Sequence, residues 1–426
     1  MNIVLLSGGS GKRLWPLSND MQSKQFLKLL KNEKGEYESM VQRVVRQIRV
    51  SQPEAQVFVS CNKEHSGTIN RQLQGSIEVV AEPSRRDTFP AICLAAAYLK
   101  YVKEMDDSAS FVICPIDVFA EKKYFELLSE VERLTEKYTI GLMGAIPTYP
   151  SEKYGYILTR DDKASGFVEK PDINRAEAMI ESGALWNCGV FGLKIGYVLD
   201  KAKKYVSIDS FQSLFEGYSN LPSISIDYEI VEKEKSIGTV IYDGKWKDLG
   251  TWNTLTEEMS GNSIGTGVII SESCKNTHVL NMLNIPVIAL DTNDLAIIVS
   301  HDGILVSSKH GSSFLKPIAE KLIMRPMYEE KHWGSYRVLD LKQNGMNTSQ
   351  VKRVRVDAGQ TLNCDYDTEC ETTWIVIRGK GILTVYGEDS VVSAGSVIQL
   401  PQAAGNSILA ATELEFIEVK LVEQIL

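Results

Sequence analysis

The rhythm of apolar residues changes along this chain, and the change dictates its architecture. From residue 1 to about 255, short apolar runs (NIVLLS, AQVFVS, IEVVAEP, SFVICPID) alternate with helix-like segments. These are Lys24 to Leu30, the amphipathic SMVQRVVRQI and the apolar AICLAAAYLKYV. Parallel strands covered on both faces by crossover helices produce that alternation. Around 260 to 310 the pieces become short and β-rich (TGVIIS, PVIAL, LAIIVS, GILVSS), and a helix-like SSFLKPIAEKLI follows. From about 330 the chain reads as strand after strand with glycine turns. Ile417, Val419 and Leu421 there alternate with Glu418 and Lys420. The expected fold is α/β. It has a Rossmann-like, mostly parallel sheet over 1–255, a β-rich linker with a helix over 256–325, and an all-β barrel over 326–426.

Composition excludes several functions. The net charge of −9 argues against a general affinity for nucleic acid, so an anionic ligand needs a local basic cluster. No run of about 18 apolar residues offers a membrane span, and MNIVLLSGG lacks the basic start of a signal peptide. The seven cysteines form no C-x-x-C pair and read as reduced thiols, which points to the cytoplasm.

The stretch IVLLSGGSGKRLWPLS, residues 3–18, leads an apolar strand into glycines and then cations. A Walker loop ending at Gly11-Lys12 would need glycine at Leu6 and Ser or Thr at Arg13. A dinucleotide fingerprint starting at Gly9 and Gly11 would need its third glycine at Leu14. Both patterns fail. What remains is a glycine turn whose N–H groups can reach a polyphosphate that Lys12 and Arg13 neutralise. Further cations stand at strand ends: Lys24 in QSKQFLKLL, Arg85 and Arg86 in AEPSRRDTFPA, Lys170 in SGFVEKP. Asp117 closes SFVICPID and Asp248 lies at the glycine turn of WKDLGTW. Two carboxylates that meet can hold Mg²⁺ against phosphate oxygens, though spacing leaves open whether these two do.

Eight motifs in register make residues 1–255 resemble the bacterial mannose-1-phosphate guanylyltransferase family of sugar nucleotidyltransferases: LSGGSGKRLWPLS with SKQFL, AEPSRRDTFPAICLAA, CPID, GAIPTYPSEKYGYI, GFVEKP, LWNCGVF, SIDYEIVEK and KWKDLGTW. The resemblance implies a GT-A-like domain that transfers GMP from GTP to α-mannose 1-phosphate. It assigns nucleotide binding to Leu6, Gly8, Gly9, Ser10, Gly11, Lys12, Glu82 and Arg86, and catalytic charge to Arg13 and Lys24. Asp117 and Asp248 would hold Mg²⁺, while Gly155, Glu169, Lys170 and Asn187 would bind the sugar phosphate. It also implies small-molecule substrates, no membrane or nucleic-acid partner, and a homo-oligomer, expected to be a dimer. The chain departs from the family's pattern at Lys12, Asp87, Phe89, Ile116 and Val118. These departures leave the reaction class intact and the base and sugar open. Another hexose or heptose 1-phosphate is the alternative substrate, and a sugar-nucleotide sensor the non-enzymatic reading.

The end of the chain, HWGSYRVLD with VKRVRVDAGQTLNCDYDTECETTWIVIRGKG, resembles the cupin domain that acts in long family members as a metal-dependent phosphomannose isomerase. Its ligand slots here read Asp365, Asp367, Thr372 and Asn406, where related isomerases carry Gln or His, His, Glu and His. Imidazole holds a transition metal well in such a site. Only one of the chain's five histidines, His332, lies in this domain, outside both motifs. Loss of the isomerase activity is expected, against the alternative of a bifunctional enzyme.

Overall fold

The computed structural model describes residues 1–422 apart from 9–10, 20, 161–162, 323–325, 345–346, 365–369 and 402–404. A nine-stranded sheet forms its first part. Asn2–Ser7 lies parallel between Gln56–Asn62 and Ser110–Pro115, and Glu78–Glu82 continues the parallel run. Leu185–Lys194 is antiparallel to Ser110–Pro115 on one side and to Ile140–Ala145 on the other, with Ile237–Tyr242 beyond. Both faces are buried. Ile3 and Leu5 of the first strand enter one core, and Val4 enters the other beside Phe89, Ile92 and Leu94. The helix Met40–Ser51 follows its sequence closely. Ser39 and Gln42 form a reciprocal cap, and Val41, Val44, Val45 and Ile48 face the core at helical spacing.

Two helix readings are corrected. Lys24 to Leu30 is a single 3-10 turn, Lys24–Phe26, and a strand, Lys28–Lys31, which pairs with Tyr37–Ser39. Its short apolar run is compatible with either state. The turn chemistry of the next residues decides, because Asn32 Oδ1 accepts the Lys34 and Glu36 N–H groups ahead of a hairpin. The stretch SSFLKPIAEKLI is broken into a 3-10 turn, Gly311–Phe314, and a short helix, Lys316–Ala319. Pro317 cannot donate to a preceding turn and so begins the second piece.

Between these parts, Ser263–Gly265, His278–Asn281 and Leu295–Ser300 stack as parallel strands, with Gly303–Ser308 antiparallel at the edge. The last part is all β. A six-stranded sheet faces a four-stranded one over Val354, Val356, Trp374, Val376, Ile408, Leu414 and Phe416. It docks on the first domain through Arg71, whose Nε donates to Asp357 Oδ2 at 2.8 Å. Thr372 and Asn406, two of the expected cupin ligand positions, are buried, whereas Asp365 and Asp367 lie outside the described residues. Lys352 and Glu418 pair at 3.3 Å on the same sheet, and Glu418 also accepts the Trp374 indole N–H. A hydroxyl, an amide and an ammonium are poor ligands for a transition metal, so the described donor set does not fit one. Among the described residues no helix is long and apolar enough to cross a membrane.

Candidate active site

The strand ends of the large sheet open into a cavity of about 660 Å³. Chain reversals bring its two aspartates together. Asp117 follows Ser110–Pro115, and the next residues, Val118–Ala120, pair antiparallel with Trp246–Asp248, setting Asp248 opposite Val118. The Leu249 N–H then donates to the Asp117 carbonyl at 3.0 Å. Gly250 permits this approach, since a Cβ there would lie 2.9 Å from Asp248 Oδ2. Lys24, only 8% exposed, reaches between the carboxylates, with Nζ 2.6 Å from Asp117 Oδ2 and 3.8 Å from Asp248 Oδ1. Gln25 beside it is tied to the first strand, donating to Ser7 Oγ at 2.9 Å.

The charges are unequal. Burial alone would raise the Asp117 carboxyl, but the Lys24 ammonium and its hydrogen bond hold it below the usual carboxylate range. Burial pushes the Asp248 carboxyl up, against Lys24 and with help from Asp117. The Lys24 ammonium is itself held above its ordinary value, because the two aspartates outweigh burial. Arg13 is exposed, and its charge is felt by both aspartates.

Asp248 Oδ1 is buried without a hydrogen-bond partner, an orphaned acceptor aimed at the spot the carboxylates share. Among the described residues no third carboxylate, histidine or cysteine joins them. Two carboxylates completed by phosphate oxygens and water are a fitting set for a hard divalent cation.

The residues expected to bind nucleotide begin on the first strand. Leu6 and Gly8 line the cavity, the turn Gly11–Leu14 follows, and buried Leu14 anchors it. Lys12 is half-buried, and Gly9 and Ser10 lie outside the described residues. Glu82 is buried at its strand end and accepts the Tyr218 hydroxyl at 2.8 Å. Burial raises its carboxyl although Tyr218 and Arg85 oppose the shift. Arg86 also lines the cavity, but its guanidinium donates to the Leu221 carbonyl at 2.6 Å. Asp87, at φ 71°, caps the following helix by accepting the Thr88 N–H at 2.7 Å. The segments around 86–89 and 221–226 are thus knitted together, with Phe89 N–H donating to Ile224 O at 3.2 Å.

Across the cavity, Gly155 pairs with Glu169, and a Cβ on Gly155 would lie 2.4 Å from Glu169 Oε2. Only glycine leaves that carboxylate in place. Lys170, at φ 47°, turns its half-exposed ammonium onto Glu169 Oε1 at 2.5 Å, and it stands outside the cavity lining. Asn187 is fixed at both ends, with Oδ1 accepting from Gly189 N and Nδ2 donating to Asp227 Oδ1, each at 3.0 Å. Tyr154 and Trp246 complete a wall, ring centroids 5.2 Å apart.

Asp227 is the residue that sequence reasoning missed. The motif SIDYEIVEK was visible, but nothing in it tells that Asp227 sinks beside Glu169. Burial first, and then the Glu169 charge, push its carboxyl up to about 7. A hydroxyl donor prefers the ionised form, so KM for the sugar substrate is expected to fall as pH rises through about 7. Asp227→Asn should flatten that profile in steady-state kinetics, and an unchanged pH profile would remove Asp227 from the sugar end.

The profile of the nucleotidyl transferase family matches residues 2–262, more than half of the chain, and the chain belongs to that family. It is an enzyme of the nucleotidyltransferase class, acting on small molecules, and enzymes of this kind use a divalent metal. The particular relatives narrow the picture. The chain is 28% identical over 449 residues to the mannose-1-phosphate guanylyltransferase of Escherichia coli, covering 95% of this chain and 94% of that one. It is 29% identical over 455 residues to the xanthan biosynthesis protein XanB of Xanthomonas campestris pv. campestris, covering 98% and 94%. A solved structure from Thermus thermophilus, described as a mannose-1-phosphate geranyltransferase, matches with TM-score 0.63 at 25% identity over 76% of this chain and 99% of that one.

Proposed function

We propose that the protein is a Mg²⁺-dependent GTP:α-mannose-1-phosphate guanylyltransferase that supplies GDP-mannose for surface polysaccharide. The observation that carries this reading is the Asp117–Asp248 pair with Lys24 between its carboxylates, set in one cavity with Glu169, Asn187 and Asp227. Relatives named for mannose-1-phosphate guanylyl transfer and xanthan biosynthesis, aligned along nearly the whole chain, support the choice of substrates and pathway.

On this reading a phosphate oxygen of mannose 1-phosphate attacks the α-phosphorus of GTP. The bond to the β-phosphate oxygen breaks in line, and pyrophosphate departs. The protein's part is placement of charge. Gly8 to Gly11 wrap the triphosphate, while Leu6, Lys12, Glu82 and Arg86 border the nucleotide. Arg13 and Lys24 draw negative charge off the α-phosphate. Asp117 and Asp248 would hold Mg²⁺, which neutralises phosphate oxygens when bound. Gly155 leaves room for Glu169, which with Asn187 accepts the sugar hydroxyls, and Lys170 meets the sugar phosphate from the rim. The enzyme works in the cytoplasm as a dimer. Its transferase domain spans 1–255, residues 256–325 link it to the barrel, and 326–426 form a barrel without isomerase activity.

The test is a pyrophosphate-release assay with Mg²⁺, each nucleoside triphosphate and a panel of sugar 1-phosphates. GTP with mannose 1-phosphate should be the best pair. Release with UTP or CTP but not GTP would sink the guanylyl assignment, and conversion of mannose 6-phosphate to fructose 6-phosphate would refute the reading of the barrel.

A further inference from the structure

The nucleotide-side cations sit on a segment whose anchorage comes from elsewhere in the chain. Downstream of Arg13, residues 14–19 run against the turn that joins Leu295–Ser300 to Gly303–Ser308. Ser300 Oγ donates to the Pro16 carbonyl at 2.9 Å. Gly303 lies so close to Trp15 that a Cβ would sit 2.6 Å from its ring. The Trp252 indole N–H donates to the Trp15 carbonyl at 3.0 Å. Leu14 and Leu17 share one core with Leu280, Ile298 and Leu315.

At the centre of the turn stands Asp302, and both its oxygens are used. Oδ2 accepts the Asn19 side-chain Nδ2 at 2.7 Å, and Oδ1 accepts the Met327 N–H at 2.6 Å, where the chain enters the barrel. Asn19 is in turn fully committed. Its Oδ1 accepts the N–H groups of Met21 at 2.9 Å and Gln22 at 2.8 Å, just before Lys24. An unbroken run of hydrogen bonds therefore leads from the barrel's entry, through one carboxylate, to the backbone that delivers Lys24 between Asp117 and Asp248.

We propose that Asp302 is a positioning residue for nucleotide binding: through Asn19 it sets the segment that carries Arg13 and Lys24. Residues 260–310 then act as a buttress for the triphosphate loop as well as a linker. This rests on the reading that the loop holds the triphosphate.

The hydrogen bonds define a decisive swap. In Asp302→Asn, the oxygen that accepts from Met327 N can be kept, but the second acceptor becomes an NH2 group that faces the Asn19 Nδ2 donor. In Asn19→Asp, two carboxylates face each other. In the double variant Asn19→Asp/Asp302→Asn, all four bonds can be remade, with Nδ2 at position 302 donating to the carboxylate at position 19. Each single substitution should raise KM for GTP about tenfold, the scale of losing a hydrogen bond to a charged group. KM for mannose 1-phosphate, bound by Glu169 and Asn187 on the far side, should stay within about twofold, and the double variant should return near wild type. Equal changes in both KM values, or no recovery in the double variant, would overturn the proposal. Ser300→Ala, which loses the hydrogen bond to the Pro16 carbonyl and the acceptor for the Asp302 N–H but keeps the Asp302 carboxylate, serves as the milder variant should a single substitution not fold, and should raise KM for GTP alone.

A readout independent of turnover separates this from the functional reading. Tryptic cleavage after Arg13 should be faster in each single variant and back to the wild-type rate in the double. Unchanged cleavage in the singles would also overturn the buttress. Absence of any turnover by wild-type protein would refute the transferase assignment while leaving the cleavage result to decide this one.

Discussion

Asp117→Asn and Asp248→Asn should each lower the rate of pyrophosphate release by about 10³-fold, the scale of removing an electrostatic contact made in the transition state. Their effects on stability should differ in sign. The Asp117 carboxyl is held low in the folded protein because Lys24 outweighs burial. Its contribution to stability is therefore present above the unfolded carboxylate value and lost as pH falls through the lowered folded one. Asn at position 117 removes it, so the thermal midpoint at pH 7 to 8 should drop by a few degrees, about 2–4 °C per kcal/mol in a domain of this size. Asp248 is the opposite case, pushed up by burial, with one oxygen lacking a hydrogen-bond partner. Folded protein then binds that proton more tightly than unfolded protein, and stability falls as pH rises from the unfolded value toward the folded one. Asp248→Asn removes a buried charge kept for function, so its midpoint should be unchanged or higher. Near-normal turnover in both variants would remove the pair from the metal site. Equal destabilisation would show that the charges are not divided as described.

Residue chemistry was easier to read in the sequence than residue encounters. Glycines followed by Arg13, and aspartates at strand ends, announce phosphate chemistry by type. The meeting of Asp117 and Asp248 depends on two three-residue strands, Val118–Ala120 and Trp246–Asp248, too short to carry a periodic signal. Asp227 was illegible for another reason. Its raised carboxyl arises from burial beside Glu169, and a one-dimensional pattern carries neither. Asn19 and Asp302 look like ordinary turn formers, and their connection appears only when Leu295–Ser300 reverses against the loop.

The parallel sheet and the barrel were legible because their apolar periods persist over many strands, as in Leu414 and Phe416, whose side chains enter the barrel; the alternation read from Ile417 to Leu421 has the opposite phase in the structure, with Glu418 buried and Leu421 exposed. Lys24 to Leu30 failed where the run was short. Phe26, Leu27, Leu29 and Leu30 are all buried, yet in a turn and a strand, because the hairpin at Asn32 outweighs a weak helical preference. The cation singled out in that segment, Lys24, lies between Asp117 and Asp248 whatever its backbone does.

Lys24→Met is the second substitution with a large expected effect, and it should move two observables in opposite directions. Turnover should fall by about 10²- to 10³-fold, as for loss of a charged group facing the reacting phosphate. Divalent-cation binding to the nucleotide-free protein should become tighter. The ammonium lies 2.6 Å and 3.8 Å from the two carboxylates and so competes for them with any added cation. A unit charge about 4 Å away contributes about 4 kcal/mol at an effective dielectric near 20, before relaxation and screening. A gain of about tenfold or more in Mn²⁺ affinity is therefore expected, read by electron paramagnetic resonance or by quenching of Trp246, two residues from Asp248. Without Lys24 both carboxyls also lose the charge that favours their ionised forms, so the gain should grow as pH rises from about 5 to 8. Weaker Mn²⁺ binding in the variant would show that Lys24 organises the carboxylates for the cation instead of standing in its place. Tighter binding with lost turnover would mean that Lys24 offsets part of the pair's charge until nucleotide and cation arrive together, when its ammonium can turn to the triphosphate.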